Sequence, residues 1–283
     1  NLMNESALLA ARRNDSEISM EDVDEASIKV QAGPAKKSRV VSEKERKLTA
    51  VHESGHAIVS RLLPEEDPVH MITIIPRGMA GGFTAYLPED DVSFMTKKKM
   101  EASIVSLLGG RVSESLVLDD ISTGASNDIE RATKIARAMV TQYGMSDRLG
   151  TINYDSSENE VFIGRDLGRS KDYSERTAAE IDEVSRIINE GYSKCKELLS
   201  DNLDKLLALS DALLEKETIY ANDFEKIFNG EKLEEESIDI DDSIKVTDLS
   251  EEARQIISKK ENEKKDKEVS EDREDKEEAK DSE

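Results

Sequence analysis

The sequence is poor in several residue types, and each shortage excludes a class of structure or site. Of its 283 residues, 4% are aromatic, none is tryptophan, one is cysteine and three are histidine. The single cysteine, Cys195, allows neither an internal disulfide nor a cysteine-based zinc site, and it is typical of a reducing compartment. No signal peptide is recognisable, and no apolar run reaches the ~18 residues of a membrane-spanning helix. We therefore expect the chain as given to be soluble.

The charge is strongly negative and unevenly distributed. The formal net charge is −23, which argues against nucleic-acid binding, because phosphate backbones attract basic surfaces. Residues 231–283 contain 22 acidic and 11 basic residues, so this stretch alone contributes −11. Apolar residues are sparse there. We predict an acidic tail over 231–283 that is disordered or at most a solvated helix.

The pattern of apolar residues and breaks predicts a mainly α fold with a small β-sheet. Two strands, rich in β-branched and aromatic residues, are predicted at 69–76 and 81–88, and short strands and loops at 150–164. Gly33-Pro34 breaks the helical pattern and indicates a linker. Helices are predicted at 2–13, 19–30, 42–63, 93–117, 128–143, 173–199, 203–215 and 218–228.

The five residues "HESGH" at 52–56 suggest a metal site. On a helix, His52 and His56 project from the same face, so both imidazoles can bind one ion. Glu53 lies about 100° further round the helix, where it misses the ion but can reach a water molecule beside it. Gly55 removes a side chain between the histidines and lets another segment approach. This is the pattern of zinc peptidases with two histidine ligands and a general base.

The spacing leaves the third protein ligand open. Val59 and Leu62 exclude the metzincin pattern, which needs Gly and His at those positions. His70 lies in a predicted strand and is compatible with the spacing, although it can equally face solvent. Asp128 and Glu114 lie near apolar helix faces and are stronger candidates. Asp128 can instead satisfy the start of its helix, and Glu114 can instead accept the free ring N–H of a ligand histidine. Spacing favours Asp128 only slightly.

Four stretches of the chain resemble the sequence of one known protein family. They are "TAVHESGHAIVSRLLPEEDPVHMITIIPRG", "GGFTAYLPE", "STGASNDIERATKIARAMVTQYGMSDRLG" and "VFIGRDL". Together they resemble the peptidase domain of the FtsH family, membrane-anchored ATP-dependent zinc metalloproteases. The opening "NLMNESALLAARRN…ISMEDVDEA" is similar to the end of the family's AAA+ ATPase module. The resemblance implies the end of the ATPase helical lid at 1–33, a zinc metallopeptidase domain at 34–230 and the tail at 231–283.

The resemblance also implies a role for individual residues. His52, His56 and Asp128 match the family's zinc ligands, with one Zn²⁺ per chain, and Glu53 matches its catalytic base. Glu114 is not a ligand in the family. Substrate-binding residues are expected in the strand that matches "GGFTAYLPE", which lies beside the active-site cleft. They are Gly82, Phe83 and Thr84.

One motif expected of a whole family member is missing from this sequence. No G-x-x-x-x-G-K-[ST] motif is present, and "GRDLGRS" at 164–170 lacks the required lysine and spacing. We therefore expect no ATP-binding residues here, with ATP and Mg²⁺ used only by a full-length parent. The chain begins with Asn1 in mid-pattern, as a C-terminal fragment would. The family implies a homo-hexamer, unfolded or membrane protein substrates, and anchoring in the cell membrane through a missing N-terminal part, with the peptidase on the cytoplasmic side.

Two hypotheses of different class follow. In the first, the chain is a zinc endopeptidase in which Glu53 activates a water molecule on the metal. In the second, it is a non-catalytic helical oligomerisation module, built on the long helices between 173 and 215, whose metal site is structural. Structural zinc sites usually fill all four positions with protein ligands, so Glu53 beside the two histidines favours the first.

Overall fold

The computed structural model describes residues 1–36, 41–78, 80–88, 93–118, 120–153, 175–231 and 249–260. The helices are α1 (Leu2–Arg12), α2 (Met20–Ala32), α3 (Glu43–Leu62), α4 (Lys97–Leu107), α5 (Gly109–Val117), α6 (Ser126–Thr141), α7 (Glu175–Asp201), α8 (Leu203–Lys216), α9 (Ala221–Phe228) and α10, over 251–260. The strands β1 (Val69–Thr73), β2 (Phe83–Tyr86) and β3 (Thr218–Tyr220) form an antiparallel sheet in the order β2-β1-β3. None of the helices in these ranges is long and apolar enough to cross a bilayer. The predicted fold class, mainly α with a small β-sheet, is confirmed.

Two of the predicted helices differ from those in the structure. The helix predicted over 93–117 is two helices, α4 and α5, which meet at Leu108. Residues 218–220 do not begin the last helix but pair with β1 as strand β3, because β-branched Thr218 and Ile219 favour a sheet. The strands and loops predicted over 150–164 fall mostly outside the described residues.

The helix α3 lies at the centre of the core. It begins after Ser42, whose hydroxyl accepts a hydrogen bond from the N–H of Glu45 at 3.2 Å. Every residue from Ala50 to Ser60 is buried. The helix packs most extensively against α5 and α8, and one side also contacts β1. The motif at 52–56 is therefore fixed inside the protein rather than displayed on its surface.

Helices α3 and α5 approach each other closely because glycines lie at their crossing. A Cβ added at Gly55 would lie 2.4 Å from the carbonyl oxygen of Gly109 and 2.4 Å from the hydroxyl of Ser113. A Cβ added at Gly109 would lie 2.8 Å from the carbonyl oxygen of Gly55. The Ser113 hydroxyl lies 2.9 Å from the carbonyl oxygen of Val51 and 2.8 Å from that of Gly110, so this side chain links α5 to the backbone of α3. The predicted approach of another segment at Gly55 is confirmed, and that segment is α5.

The second helix lies against the sheet, and the first packs on the second. Ile28 of α2 forms a small apolar cluster with Met71 of β1 and Ala85 of β2. Beside it, the buried guanidinium of Arg77 donates two hydrogen bonds, of 3.0 and 2.7 Å, to the carboxylate of Glu25 on α2. The division into an ATPase lid at 1–33 and a peptidase domain at 34–230 stays a prediction.

Part of the predicted tail is folded. Ser250 donates its N–H to the carbonyl of Val117 at 2.6 Å, and its hydroxyl contacts the carbonyl of Leu116. The same hydroxyl accepts a hydrogen bond from the N–H of Ala253 at 3.1 Å and so begins α10. Leu249 and Ala253 are buried in the main core. The disorder predicted for 231–283 is therefore wrong for 249–260, because two apolar residues and a helix-starting serine occur at spacings that fit the end of α5.

The contact between α3 and α5 should not tolerate a methyl group. We expect Gly55→Ala to lower the free energy of unfolding by about 1–3 kcal/mol or more, because the added Cβ meets backbone and cannot be relieved by a rotamer change. Urea titration measures this. Ser54→Ala on the same helix is the control. Since the Ser54 hydroxyl is buried without a hydrogen-bond partner in the described part of the chain, its removal should leave stability unchanged or raise it. A Gly55→Ala variant as stable as the parent would contradict the packing argument.

The docking of α10 should contribute measurable stability. We expect Ser250→Ala to lower the free energy of unfolding by about 1 kcal/mol, because it removes the side-chain cap of the helix. Ser258→Ala is the matched control, since Ser258 is exposed on the same helix. Urea titration of the two variants compares them directly. Equal stabilities would mean that α10 is not held in solution.

Candidate metal centre

Two histidines of α3 direct ring nitrogens at one point. The Nε2 atoms of His52 and His56 are 3.2 Å apart, and the rings meet edge to face. Both residues are nearly buried, with exposed fractions of 9% and 8%. Because the two residues are one helical turn apart on a buried face, the backbone of α3 alone brings the nitrogens together.

Asp128 completes a group of three. It lies in the first turn of α6, after a short 3₁₀ turn at Thr123–Ala125. Its Oδ2 atom is 3.5 Å from the Nε2 atom of His52 and 3.5 Å from that of His56. Zinc bound tetrahedrally at about 2.0–2.1 Å from each ligand needs ligand atoms about 3.3 Å apart. The separations of 3.2, 3.5 and 3.5 Å are compatible with one zinc ion.

The outer nitrogen of each ring is held by a hydrogen bond. The Nδ1 atom of His52 lies 2.7 Å from the carboxylate of Glu114, and that of His56 lies 2.9 Å from the carbonyl oxygen of Ser106. Since both partners are acceptors, a neutral ring at either position carries its proton on Nδ1 and keeps a lone pair on Nε2. Ligand histidines in metalloproteins are oriented in this way.

Glu114 connects the two halves of the group. Besides the ring of His52, its carboxylate accepts hydrogen bonds from the N–H of Ser122 at 2.7 Å and the hydroxyl of Ser122 at 3.0 Å. Ser122 directly precedes the turn that leads to Asp128. Of the two roles considered for Glu114, the contact with Nδ1 of His52 is the one observed.

The carboxylates determine the charge of the group. Burial lowers the pKa of His52, but hydrogen bonds with Asp128 and Glu114 outweigh it and raise the pKa to about 10. Burial raises the pKa of Asp128, yet hydrogen bonds with His52 and His56 hold it well below its usual range. The carboxylates thus favour positive charge at this point. A divalent cation at the same place would meet the same negative surroundings.

Glu53 lies beside the histidines but turns towards the sheet. It is buried, and one of its carboxylate oxygens, Oε2, accepts a hydrogen bond of 2.8 Å from the hydroxyl of Thr84 on β2. A Cβ added at Gly82 would lie 2.8 Å from the Cγ and Oε1 atoms of Glu53. Of the three residues predicted to bind substrate, Gly82 and Thr84 thus contact Glu53, while Phe83 packs on the opposite face near Ile28.

His70 takes no part in this group. It lies on β1, where its Nε2 atom is 3.6 Å from the carboxylate of Asp24 on α2. Within the described ranges, the cluster of potential metal-binding side chains consists of His52, His56 and Asp128. The alternative in which His70 supplies the third ligand therefore has no support in the geometry.

Sequence reasoning missed three residues that shape the site. Ser106 contributes a backbone carbonyl and Ser122 a backbone N–H, and neither group leaves a signal in the side-chain pattern. Gly110 allows the ring of His52 to lie against α5, since a Cβ there would be 2.4–2.6 Å from three ring atoms. The glycine pair at 109–110 was the one available signal of such a close approach.

Comparison with known proteins agrees with this geometry. The sequence model of Peptidase family M41 matches residues 39–227. The chain is 59% identical over 235 residues to ATP-dependent zinc metalloprotease FtsH 1 of Thermoanaerobacter sp. (strain X514), which covers 83% of this chain and 38% of that protein. It is 46% identical over 255 residues to ATP-dependent zinc metalloprotease FtsH of Bacillus subtilis (strain 168), which covers 88% and 40%.

The match extends through both parts of the candidate metal centre. The residues matched by the family model, 39–227, include α3 with its two histidines and α6 with Asp128. The chain spans 38–40% of the length of the two relatives, so it corresponds to a part of such proteins. The family match covers more than half of the chain, and the chain belongs to Peptidase family M41.

Proposed function

We propose that this chain carries the zinc-dependent endopeptidase activity of an ATP-dependent protease. One observation carries the proposal. The Nε2 atoms of His52 and His56 and the Oδ2 atom of Asp128 lie 3.2–3.5 Å from one another, with the carboxylate-bearing Glu53 next to His52 on the same helix. The names of the relatives, which are ATP-dependent zinc metalloproteases, support the same reaction class.

In this proposal each side chain of the site has a separate role. Zinc held by His52, His56 and Asp128 would lower the pKa of a water molecule and polarise the scissile carbonyl. Glu53 takes a proton from the attacking water and delivers it to the leaving amine. Glu114 fixes the ring of His52, so that Nε2 keeps its lone pair towards the ion.

We propose that an extended substrate binds along β2. Within the described sheet β2 is an edge strand, so backbone groups at Gly82, Phe83 and Thr84 can pair with a substrate chain. The side chains of Phe83 and Thr84 pack against α2 and α3, respectively. Recognition through the backbone would tolerate many substrate sequences, as degradation of unfolded chains requires.

We further propose how the chain functions within a longer protein. ATP and Mg²⁺ would be used by a nucleotide-binding core of that longer protein, because the relatives are named ATP-dependent. By the family resemblance, the parent would form a homo-hexamer anchored in the cell membrane, with the peptidase on the cytoplasmic side. Its substrates would be unfolded or membrane proteins.

The alternative, a non-catalytic module with a structural metal site, has less support. A structural zinc site usually has four protein ligands. In the described part of the chain the potential ligands number three. The neighbouring carboxylate of Glu53 is held by Thr84. Three ligands and an adjacent base favour a catalytic site with one open position.

Replacing the base should separate binding from catalysis. We expect Glu53→Gln to retain zinc and lose on the order of 10²–10⁴-fold in the rate of casein hydrolysis, because glutamine cannot accept the proton. Zinc content by atomic absorption and a chelator-sensitive protease assay measure the two effects. Full activity in this variant would contradict the proposed mechanism.

Replacing the third ligand should weaken the metal itself. We expect Asp128→Asn to reduce zinc affinity by more than the roughly 10–100-fold that follows loss of a ligand's hydrogen-bond partner. Glu114→Gln is the comparison for that smaller effect, and His70→Ala, remote from the group, should leave zinc unchanged. Competition with a chromogenic chelator measures all three. Unchanged affinity in Asp128→Asn would transfer the ligand role to another residue.

A further inference from the structure

We infer that Thr84 is a positioning residue for the general base: its hydroxyl holds the carboxylate of Glu53 in the orientation that proton transfer requires. The inference rests on the proposed function of Glu53. It assigns to the Thr84 side chain a role distinct from the backbone contact with substrate predicted for the same strand.

The contact between the two side chains is direct. The Thr84 hydroxyl lies 2.8 Å from Oε2 of Glu53, with a weaker approach of 3.5 Å to the Glu53 carbonyl. Glu53 has an exposed fraction of only 7%. A carboxylate this far from water needs hydrogen-bond donors. Over the described residues, Thr84 is the one side chain that donates a hydrogen bond to it.

The alternation of side chains along β2 determines the direction of the Thr84 hydroxyl. Alternate residues of β2 point to opposite faces. Phe83 and Ala85 face α2 and its Ile28, whereas Thr84 and Tyr86 face α3. The Tyr86 hydroxyl receives a hydrogen bond of 3.2 Å from Ser60 on α3. Two consecutive inward positions of β2 therefore hydrogen-bond to α3.

The neighbouring elements leave the strand little freedom. Thr84 pairs with Ile72 on β1, and Ile72 is fully buried. Gly82 brings the start of β2 so close to α3 that a Cβ there would lie 2.7 Å from Thr49 and 2.8 Å from Glu53. The β-branched side chain of Thr84 has few rotamers of its own. Strand and rotamer together fix where the hydroxyl lies.

The consequence for catalysis follows from the two oxygens of Glu53. The hydrogen bond occupies Oε2 and restricts rotation of the carboxylate, so the position of Oε1, which lies near Gly82, is restricted as well. A general base acts only within hydrogen-bond reach of the proton that it removes. Loss of this restraint would reduce the fraction of bound substrate that reacts without weakening its binding.

Kinetics can distinguish positioning from substrate binding. We expect Thr84→Val, which keeps the shape but loses the hydroxyl, to lower kcat on a fluorogenic peptide about tenfold or more, with KM within about twofold. Thr84→Ser restores the hydroxyl and should keep kcat within about threefold. Thr218→Val, which removes a hydroxyl from β3 that bonds Thr73 instead, is the matched control and should leave kcat unchanged. A rise in KM alone in Thr84→Val would overturn the inference in favour of substrate contact.

A second measurement needs no activity. In the zinc-free protein, Thr84→Val should lower the Tm in the parent background and lower it clearly less in a Glu53→Ala background, because the partner is then absent. Equal shifts in both backgrounds would overturn the inference, even if the chain alone cleaves no peptide. If Thr84→Val does not fold, Thr84→Ser decides: native Tm with a tenfold loss of kcat also overturns it.

The experiments distinguish a failure of the proposed role of Glu53 from a failure of the proposed role of Thr84. Full activity in Glu53→Gln would contradict the catalytic role of Glu53 and, with it, the reason for positioning. An inactive Glu53→Gln together with full activity in Thr84→Val would leave the endopeptidase standing and remove only the role of Thr84.

Discussion

The close contact between α3 and α5 is the constraint on which the rest of the site depends. Gly55 and Gly109 allow the two backbones to approach, and Gly110 allows the ring of His52 to lie directly against α5. At that distance Glu114 can reach Nδ1 of His52. A side chain at any of the three glycine positions would move α5 outwards and separate the ring from its carboxylate.

The sheet contributes to the site through β2, which contacts Glu53. β2 lies between α2 and α3, with an apolar face towards Ile28 and a polar face towards Glu53. The sheet is small, and its stability depends on these two helices rather than on its own pairing. The orientation of the Glu53 carboxylate is thus coupled to how α2, with its Glu25–Arg77 ion pair, packs on the opposite face.

Sequence patterns predicted the features that depend on local residue spacing. They failed for the features that depend on contacts between residues far apart in the sequence. The four-residue separation of His52 and His56 is enough to predict their common face on a helix. Asp128 could not be separated from Glu114 by periodicity, since both lie near apolar faces and their difference arises only from how α5 and α6 pack. The contact of His56 with the Ser106 carbonyl has no sequence signature, because any residue offers that oxygen. The helix α10 was missed because a few apolar residues in a charged stretch suffice when a docking surface already exists.

The docking of α10 also has a consequence for when the contacts around the site can form during synthesis. The carbonyls of Leu116 and Val117, at the end of the helix that carries Glu114, receive their partner from Ser250, which follows Leu116 by 134 residues. On a ribosome the histidines, Glu114 and Asp128 all emerge well before that partner exists. The contacts that support the candidate metal centre are therefore completed only after residue 250 has been made, so a nascent chain carries every candidate ligand before that support exists.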